Sequence, residues 1–125
     1  MKFKKLSKTA RAPTKGSKKA AGWDIYADIR GPIGVITISP GESAKIPTGI
    51  AIQPDPGYFS AMYARSGLAS KEGLRLINGV AVLDEDYVGE IGVVLYNDSN
   101  ETRTVQNGQR VAQVVFQPYS TADLI

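Results

Sequence analysis

The stretch from Leu76 to Asn97 reads LINGVAVLDEDYVGEIGVVLYN and contains two arms rich in β-branched and apolar residues. The carboxylates of Asp84, Glu85 and Asp86 stand between these arms, so the pattern predicts a β-hairpin with its acids at the tip. Adjacent carboxylates repel one another. A folded chain tolerates them at a solvated turn, or at a site where one of them accepts a proton or faces a cation. This stretch alone leaves both interpretations open.

The rest of the chain predicts a single all-β domain over residues 1–125. Its 13 glycines and 7 prolines punctuate short alternating segments, and strands that recur at roughly 8 to 12 residues are typical of a sandwich or a jelly roll. The predicted strands are 3–6, 23–28, 35–38, 44–46, 50–52, 58–63, the two arms of the hairpin, 102–105 and 110–116.

Composition restricts the chemistry that this chain can perform. Cysteine and histidine are both absent, which excludes disulfides, thiolate zinc sites and thiol nucleophiles and disfavours a soft transition-metal site. Catalysis would therefore rest on carboxylates, hydroxyls, Lys, Arg or backbone amides. No apolar run approaches the ~20 residues of a membrane span, so we expect a cytoplasmic protein without a membrane partner.

Positive charge is concentrated at the N-terminal end. Residues 1–19 hold eight of the 15 basic residues and no acid (+8), which leaves seven basic and 12 acidic residues (−5) for the remainder. Such an end could bind nucleic acid. Phe3 and Leu6 alternate with lysines as in an edge strand, however, and the aromatic interleaving of single-strand binders is missing. We therefore favour the structural interpretation and do not expect a nucleic-acid partner.

One short helix is predicted after the strand 58–63. Ser66 can act as its N-cap, and Gly73 can end it in a left-handed conformation. Arg65, Ser66 and Gly67 offer a cation, a hydroxyl and open backbone, a combination suited to a phosphate. A capped turn with a solvated arginine is the alternative for this segment.

Four segments together resemble a known family. They are Ala21 to Ala27 (AGWDIYA), Arg65 to Ala69 (RSGLA), Asn78 to Ile91 around the three acids, and Gly108 to Gln113 (GQRVAQ). In order and spacing they are similar to the first four motifs of the trimeric dUTPases. The resemblance implies a distorted jelly-roll subunit in a homotrimer that hydrolyses dUTP to dUMP and pyrophosphate, with Mg2+ on the triphosphate.

The resemblance also assigns roles to the motif that contains the acids. Asp84 matches the general base that activates the water attacking the α-phosphorus, whereas Glu85 and Asp86 keep the solvated-turn interpretation. Tyr87 matches the residue that packs on deoxyribose and excludes a 2′-hydroxyl. The side chain of Asn78 and the backbone at three further positions match the slot that reads uracil. Those three positions are Val82, Leu83 and Gly92.

The other motifs supply contacts to the triphosphate. Arg65, Ser66 and Gly67 match the phosphate-binding motif, and Gln113 matches a further phosphate contact from another strand. Asp24 matches an acid that reaches Mg2+ through water. A strand acid without a ligand and a glutamine bonded to a neighbouring strand are the alternatives for Asp24 and Gln113.

The chain also departs from the family pattern. Ala81, Val88, Gln109 and Ala64 stand where the family usually has Gly, Arg, Asp and Pro. The fifth motif, a Gly-rich C-terminal arm, is absent before Ile125. We therefore expect dUTP to bind but to turn over more slowly than in a relative with the arm. A regulatory protein-binding scaffold with little activity is the alternative function, and dCTP deamination is a less favoured one.

Overall fold

The computed structural model describes all residues from 1 to 125 and contains twelve β-strands and one short helix. The strands are β1 (Lys2–Lys5), β2 (Thr14–Lys15), β3 (Trp23–Tyr26), β4 (Val35–Ile38), β5 (Ser43–Pro47), β6 (Ile50–Gln53), β7 (Tyr58–Tyr63), β8 (Leu74–Leu76), β9 (Ala81–Leu83), β10 (Gly92–Asn97), β11 (Arg103–Gln106) and β12 (Arg110–Pro118). A π-helical turn covers Leu68–Glu72. No helix is long and apolar enough to cross a membrane.

The strands form four antiparallel sheets around one apolar core. The largest has the order β2-β3-β12-β7-β9, and β12 pairs with both β3 and β7. The others are β5-β10-β8, β11-β4 and β1-β6. A cluster of 19 buried residues draws on every one of these sheets. The predicted all-β, jelly-roll-like class and the short helix after Arg65 are confirmed.

Strand β10 shows how the alternating pattern builds that core. Val93, Leu95 and Asn97 are fully buried, whereas the residues between them are half-buried. Successive side chains of a strand point to opposite faces, so this strand presents one face to the core and the other toward the surface.

The predicted hairpin between Leu76 and Asn97 is wrong in its pairing. Its first arm, β9, pairs with β7 instead of β10, while β10 pairs with β5 and β8. Only the ends of the stretch face each other, with Leu76 opposite Leu95. The chain leaves one sheet after β8, joins the edge of another as β9 and returns through segment 84–91. An alternating pattern fixes which face of a strand is buried but does not name its partner.

The helix starts differently from the prediction, because Ser66 and Gly67 already have helical backbone. Ser66 makes no capping hydrogen bond, and the first helical bond runs from the Ala69 N–H to the Arg65 carbonyl at 3.0 Å. The prediction that Ser66 caps the helix was therefore wrong. Gly73 ends the helix at φ 69°, ψ 21°, the left-handed conformation that glycine adopts most readily.

Asp28 is a buried acid that follows β3. Its side chain is 1% exposed, accepts hydrogen bonds from the hydroxyls of Ser7 and Thr9, and pairs with Arg30 at 3.3 Å. A buried carboxylate needs such partners. The chain from Ser7 to Thr9 is thereby fastened to the end of β3.

Asn97 is a second buried polar anchor, and replacing it should destabilise the fold. Its amide nitrogen donates to the carbonyls of Ile38 and Glu101, both at 2.8 Å, and its oxygen accepts from Ser99. We expect Asn97→Ala to lower the free energy of unfolding by about 3 kcal/mol, because it leaves buried groups without partners. Urea denaturation measures this. The exposed Asn100→Ala is the control, and equal midpoints for both variants would contradict the expectation.

Candidate active site

The three acids lie on segment 84–91, between the edge strand β9 and β10. All three acids border an open pocket of about 480 Å³ that Phe59, Val82 and Tyr119 also line. The Tyr87 N–H donates to the Asp84 carbonyl at 3.0 Å and closes a turn in the backbone. The Asp84 side chain is exposed and makes no hydrogen bond within the chain. Its carboxylate is therefore free to accept a proton from a bound water.

Glu85 differs from its two neighbours, and the solvated-turn interpretation of this residue was wrong. It is half-buried, and one carboxylate oxygen accepts hydrogen bonds from the Gly57 N–H at 2.5 Å and the Tyr119 hydroxyl at 3.2 Å. Partial desolvation and the negative charge of Glu85 raise the pKa of Tyr119 above its usual value. The tyrosine hydroxyl therefore remains a donor at neutral pH.

Tyr87 folds back over its own loop. Its hydroxyl donates to the Glu90 carbonyl at 2.7 Å, and its ring covers Gly89. A Cβ at Gly89 would lie 2.9 Å from the Tyr87 hydroxyl and 3.1 Å from the ring carbon that bears it. Tyr87 remains 45% exposed, so its ring is accessible to a ligand. The ring can take this orientation because residue 89 is glycine.

The residues predicted to read a base belong to a turn and to strands of two different sheets. Asn78 is exposed in the turn between β8 and β9, and Val82 and Leu83 belong to β9, which ends the five-stranded sheet. Gly92 begins β10 in another sheet. Because β9 and β10 do not pair with each other, backbone groups on the free edge of β9 are open to a planar ligand.

A second cluster surrounds Asp24 on β3. Arg65 Nε lies 3.1 Å from one carboxylate oxygen and Arg110 Nη1 lies 3.5 Å from the other. Gln113 is the cross-strand partner of Asp24, and its amide donates to the Ala64 carbonyl at 3.1 Å. Two arginines against one carboxylate leave a net charge of +1 in this cluster, which suits an anionic ligand.

Arg110 is a candidate site residue that the sequence interpretation missed. Residues 110 and 113 are three apart, so strict alternation would place them on opposite faces of β12. The register instead shifts between Arg110 and Ala112, opposite Tyr26 and Ile25. This bulge adds one residue to β12 and turns Arg110 toward Asp24.

Ser66 and Gly67 follow directly after Arg65 and are exposed. A Cβ at Gly67 would meet no atom within 4 Å, so nothing within one chain requires glycine there. Gly22 is different, because a Cβ at this position would overlap the side-chain oxygen of Gln113. The absence of a side chain at Gly22 therefore determines where Gln113 lies.

The two clusters lie at opposite ends of β7. Leu83 pairs with Ser60, which places Asp84 near Phe59, whereas Gln113 pairs with Tyr63 just before Arg65. Four residues of β7 separate Phe59 from Tyr63, or roughly 13 Å, and Arg65 lies two residues beyond the end of that strand. The clusters also diverge sideways, because β9 and β12 flank β7 on opposite sides. One chain therefore keeps the Asp84 carboxylate and the Arg65 guanidinium apart.

A sequence profile of the dUTPase family matches residues 8–125. The chain belongs to the dUTPase family. A deoxyuridine 5'-triphosphate nucleotidohydrolase from Desulfitobacterium hafniense is 44% identical over 93% of this chain and 76% of its own length. The same-named protein of Mus musculus is 40% identical over 99% of this chain and 72% of its own length. The predicted family membership is confirmed.

Solved dUTPases share the architecture. A mutant dUTPase of Staphylococcus bacteriophage 80alpha with dUpNHpp is 26% identical with a TM-score of 0.87, covering 99% of this chain and 85% of that one. The dUTPase from Streptococcus mutans is 30% identical with a TM-score of 0.83, covering 97% and 98%. A dUTPase from phage phi11 of S. aureus, 25% identical with a TM-score of 0.87 over 99% and 94%, coordinates a structural Mg(II) ion.

Proposed function

We propose that this chain hydrolyses dUTP to dUMP and pyrophosphate, with Asp84 as the general base. The observation that carries the proposal is a free carboxylate on the wall of an open pocket in a chain of the dUTPase family. Asp84 takes a proton from water, the water oxygen attacks the α-phosphorus, and pyrophosphate leaves. A positioned base contributes about 10²- to 10⁴-fold. We expect this reaction in the cytoplasm, where nucleotides are made and used.

The cluster around Asp24 binds the triphosphate in this proposal. In the absence of a ligand, Arg65 and Arg110 both pair with the Asp24 carboxylate. A bound triphosphate carries more negative charge than this carboxylate and would compete with it for both guanidinium groups. The exposed Ser66 hydroxyl and the open backbone at Gly67 add donors beside Arg65. Gln113 lies next to Asp24 and can contact the same phosphates.

Asp24 also fits a water-mediated contact to Mg2+. No group of three Asp or Glu residues is present to hold a metal on its own. Mg2+ keeps several waters and is often held by one carboxylate together with substrate phosphates, so a lone half-buried acid suits it. Once phosphates have drawn the arginines away, Asp24 would accept hydrogen bonds from the waters of that ion. When bound, Mg2+ would neutralise charge on the phosphates.

Tyr87 and the free edge of β9 select the nucleoside. The Tyr87 ring packs on deoxyribose and leaves no room for a 2′-hydroxyl. Steric exclusion is needed because an apolar pocket alone rejects a ligand with one extra hydroxyl only about 10²-fold. Asn78 and the backbone at Val82, Leu83 and Gly92 bind the edge of uracil. The stem of Lys45 lies against Gly92 and borders this slot.

Gly89→Ala tests the role of the Tyr87 ring. The new methyl group would displace the ring, so we expect the preference for dUTP over UTP to fall about 10-fold while the protein stays folded. The ratio of kcat/KM for the two nucleotides measures this. Gly16→Ala is the control, because a Cβ there meets no atom within 4 Å. An unchanged ratio in Gly89→Ala would contradict the role of Tyr87.

A homotrimer would complete the site. Within one chain, Asp84 and Arg65 belong to clusters at opposite ends of β7. A closed symmetric oligomer presents the acidic segment of one copy to the Asp24 cluster of the next. The trimeric state itself follows from the family resemblance.

One assay tests the proposed function. Release of pyrophosphate from dUTP, UTP, dTTP and dCTP is measured with Mg2+ and with excess chelator. We expect hydrolysis of dUTP in preference to the other three, and its loss on chelation. Ammonia released from dCTP would support the deaminase alternative. Absence of hydrolysis from the folded protein would contradict the proposal and favour a protein-binding scaffold.

A further inference from the structure

Segment 84–91 carries the proposed base and joins β9 to β10 without pairing as a strand. Its far end is well attached, because Ile91 bonds Ile50 and Thr48 and Glu90 pairs with Arg30. At its near end the Asp84 side chain has no partner within the chain. An effective general base must nevertheless be held close to its reacting geometry, so another group has to fix the Asp84 end of the segment.

We propose that Glu85 is the positioning residue for Asp84, and that Gly57 and Tyr119 are its anchor points. Glu85 is the one member of the acidic triplet whose side chain bonds outside the segment, with donors from the start of β7 and from the end of β12. The inference rests on the proposed role of Asp84. It assigns Glu85 the function of positioning Asp84, whereas the solvated-turn interpretation assigned this residue no function.

The anchor is a closed arrangement of three residues. Gly57 donates its N–H to Glu85, and its carbonyl accepts the Tyr119 N–H at 3.2 Å, while the Tyr119 hydroxyl donates to the same Glu85 oxygen. The Tyr119 ring packs edge-on against Phe59 on β7, with ring centres 6.2 Å apart. Each member is thus held by the other two, and Gly57 and Tyr119 lie directly beyond the paired ends of β7 and β12.

Charge provides a second reason for this anchor. Three adjacent carboxylates repel one another, and that repulsion would favour other conformations of the segment. Two hydrogen bonds stabilise the negative charge of the Glu85 carboxylate, because hydrogen bonds to an ionised acceptor are stronger than those between neutral groups. They hold this carboxylate in one position despite the repulsion from Asp84 and Asp86. The Tyr119 hydroxyl is protonated at neutral pH even at the ordinary tyrosine pKa, and partial desolvation and the charge of Glu85 raise that pKa further.

The test compares Glu85→Ala with Glu85→Gln, which retains an oxygen acceptor. We expect Glu85→Ala to lower kcat for dUTP about 10- to 100-fold, since a displacement of about 1 Å at a catalytic group has effects of this size. KM should change less than about threefold, because the Asp24 cluster is untouched. Glu85→Gln should recover most of kcat. Glu42→Ala, an exposed acid in the turn before β5, should match the wild type.

Hydrogen exchange reports on the anchor without requiring activity. The Gly57 amide should exchange faster in Glu85→Ala than in wild type and Glu85→Gln. Unchanged kcat in Glu85→Ala, or unchanged exchange at the Gly57 amide, would overturn the inference about Glu85. The proposed role of Asp84 is tested separately by Asp84→Asn. A fall in kcat that Glu85→Gln does not restore would overturn it as well. An inactive wild type would contradict the proposed function, and Gly57 exchange would still decide whether the anchor exists.

Discussion

Asp84→Asn lowers kcat for dUTP by about 10²- to 10⁴-fold, because an amide cannot take the proton of the attacking water. The substitution keeps the size of the side chain, and Asp84 has no hydrogen bond in the chain that would be lost. Binding of the non-hydrolysable analogue dUpNHpp should therefore stay within a few fold of wild type. Steady-state kinetics and calorimetry measure the two effects separately.

Asp86→Asn is the matched control for that variant. Asp86 is also exposed and lies two residues away on the same segment, so the two variants make the same change of charge. We expect Asp86→Asn to keep kcat within about threefold, because a solvated surface charge contributes little. Equal losses in the two variants would mean that the charge of the segment matters and that Asp84 has no special role.

Arg65→Ala is expected to have the second largest effect. It removes a guanidinium from the phosphate cluster and leaves Asp24 with Arg110 alone, so the cluster changes from +1 to neutral. We expect kcat/KM for dUTP to fall about 100-fold, the size typical of losing one group that stabilises charge on the reacting phosphates. Titration of the variant with dUpNHpp should show weakened binding, unlike in Asp84→Asn.

Arg75→Ala controls for the loss of an arginine. Arg75 is partly exposed, pairs with Asp98 at 3.6 Å and lies over the Tyr96 ring at 4.9 Å. It belongs to β8, in a different sheet from the Asp24 cluster. Its removal should leave kcat/KM within about twofold of wild type, as for most surface substitutions. If kcat/KM of Arg65→Ala were as high as that of Arg75→Ala, Arg65 would not be part of the phosphate site.

Sequence patterns predicted the strands well but did not identify their partners. Strands β4 and β7 match their predicted bounds, since alternation and turn residues are local signals. The pairing of β9 with β7 depends on how the whole chain closes its core, which no window of sequence contains. The predicted hairpin between Leu76 and Asn97 failed for this reason.

The candidate site shows the same division between local and non-local information. The family resemblance indicated Asp24, Arg65 and Gln113, and the fold brings these three together. Arg110 joins them only through the bulge in β12, because alternation would have pointed it away. Glu85 looked like a solvated acid because its donors, Gly57 and Tyr119, lie 28 and 34 residues away along the chain.

We expect each site to take its base from one subunit and its phosphate cluster from another. The direct test is to mix the weakened variants Asp84→Asn and Arg65→Ala in equal amounts, unfold them together and refold them as mixed oligomers. Random assembly then gives about one quarter of the sites an intact Asp84 and an intact Arg65 from different chains. About a quarter of wild-type activity should therefore return. A mixture no more active than the variants refolded separately would contradict this expectation.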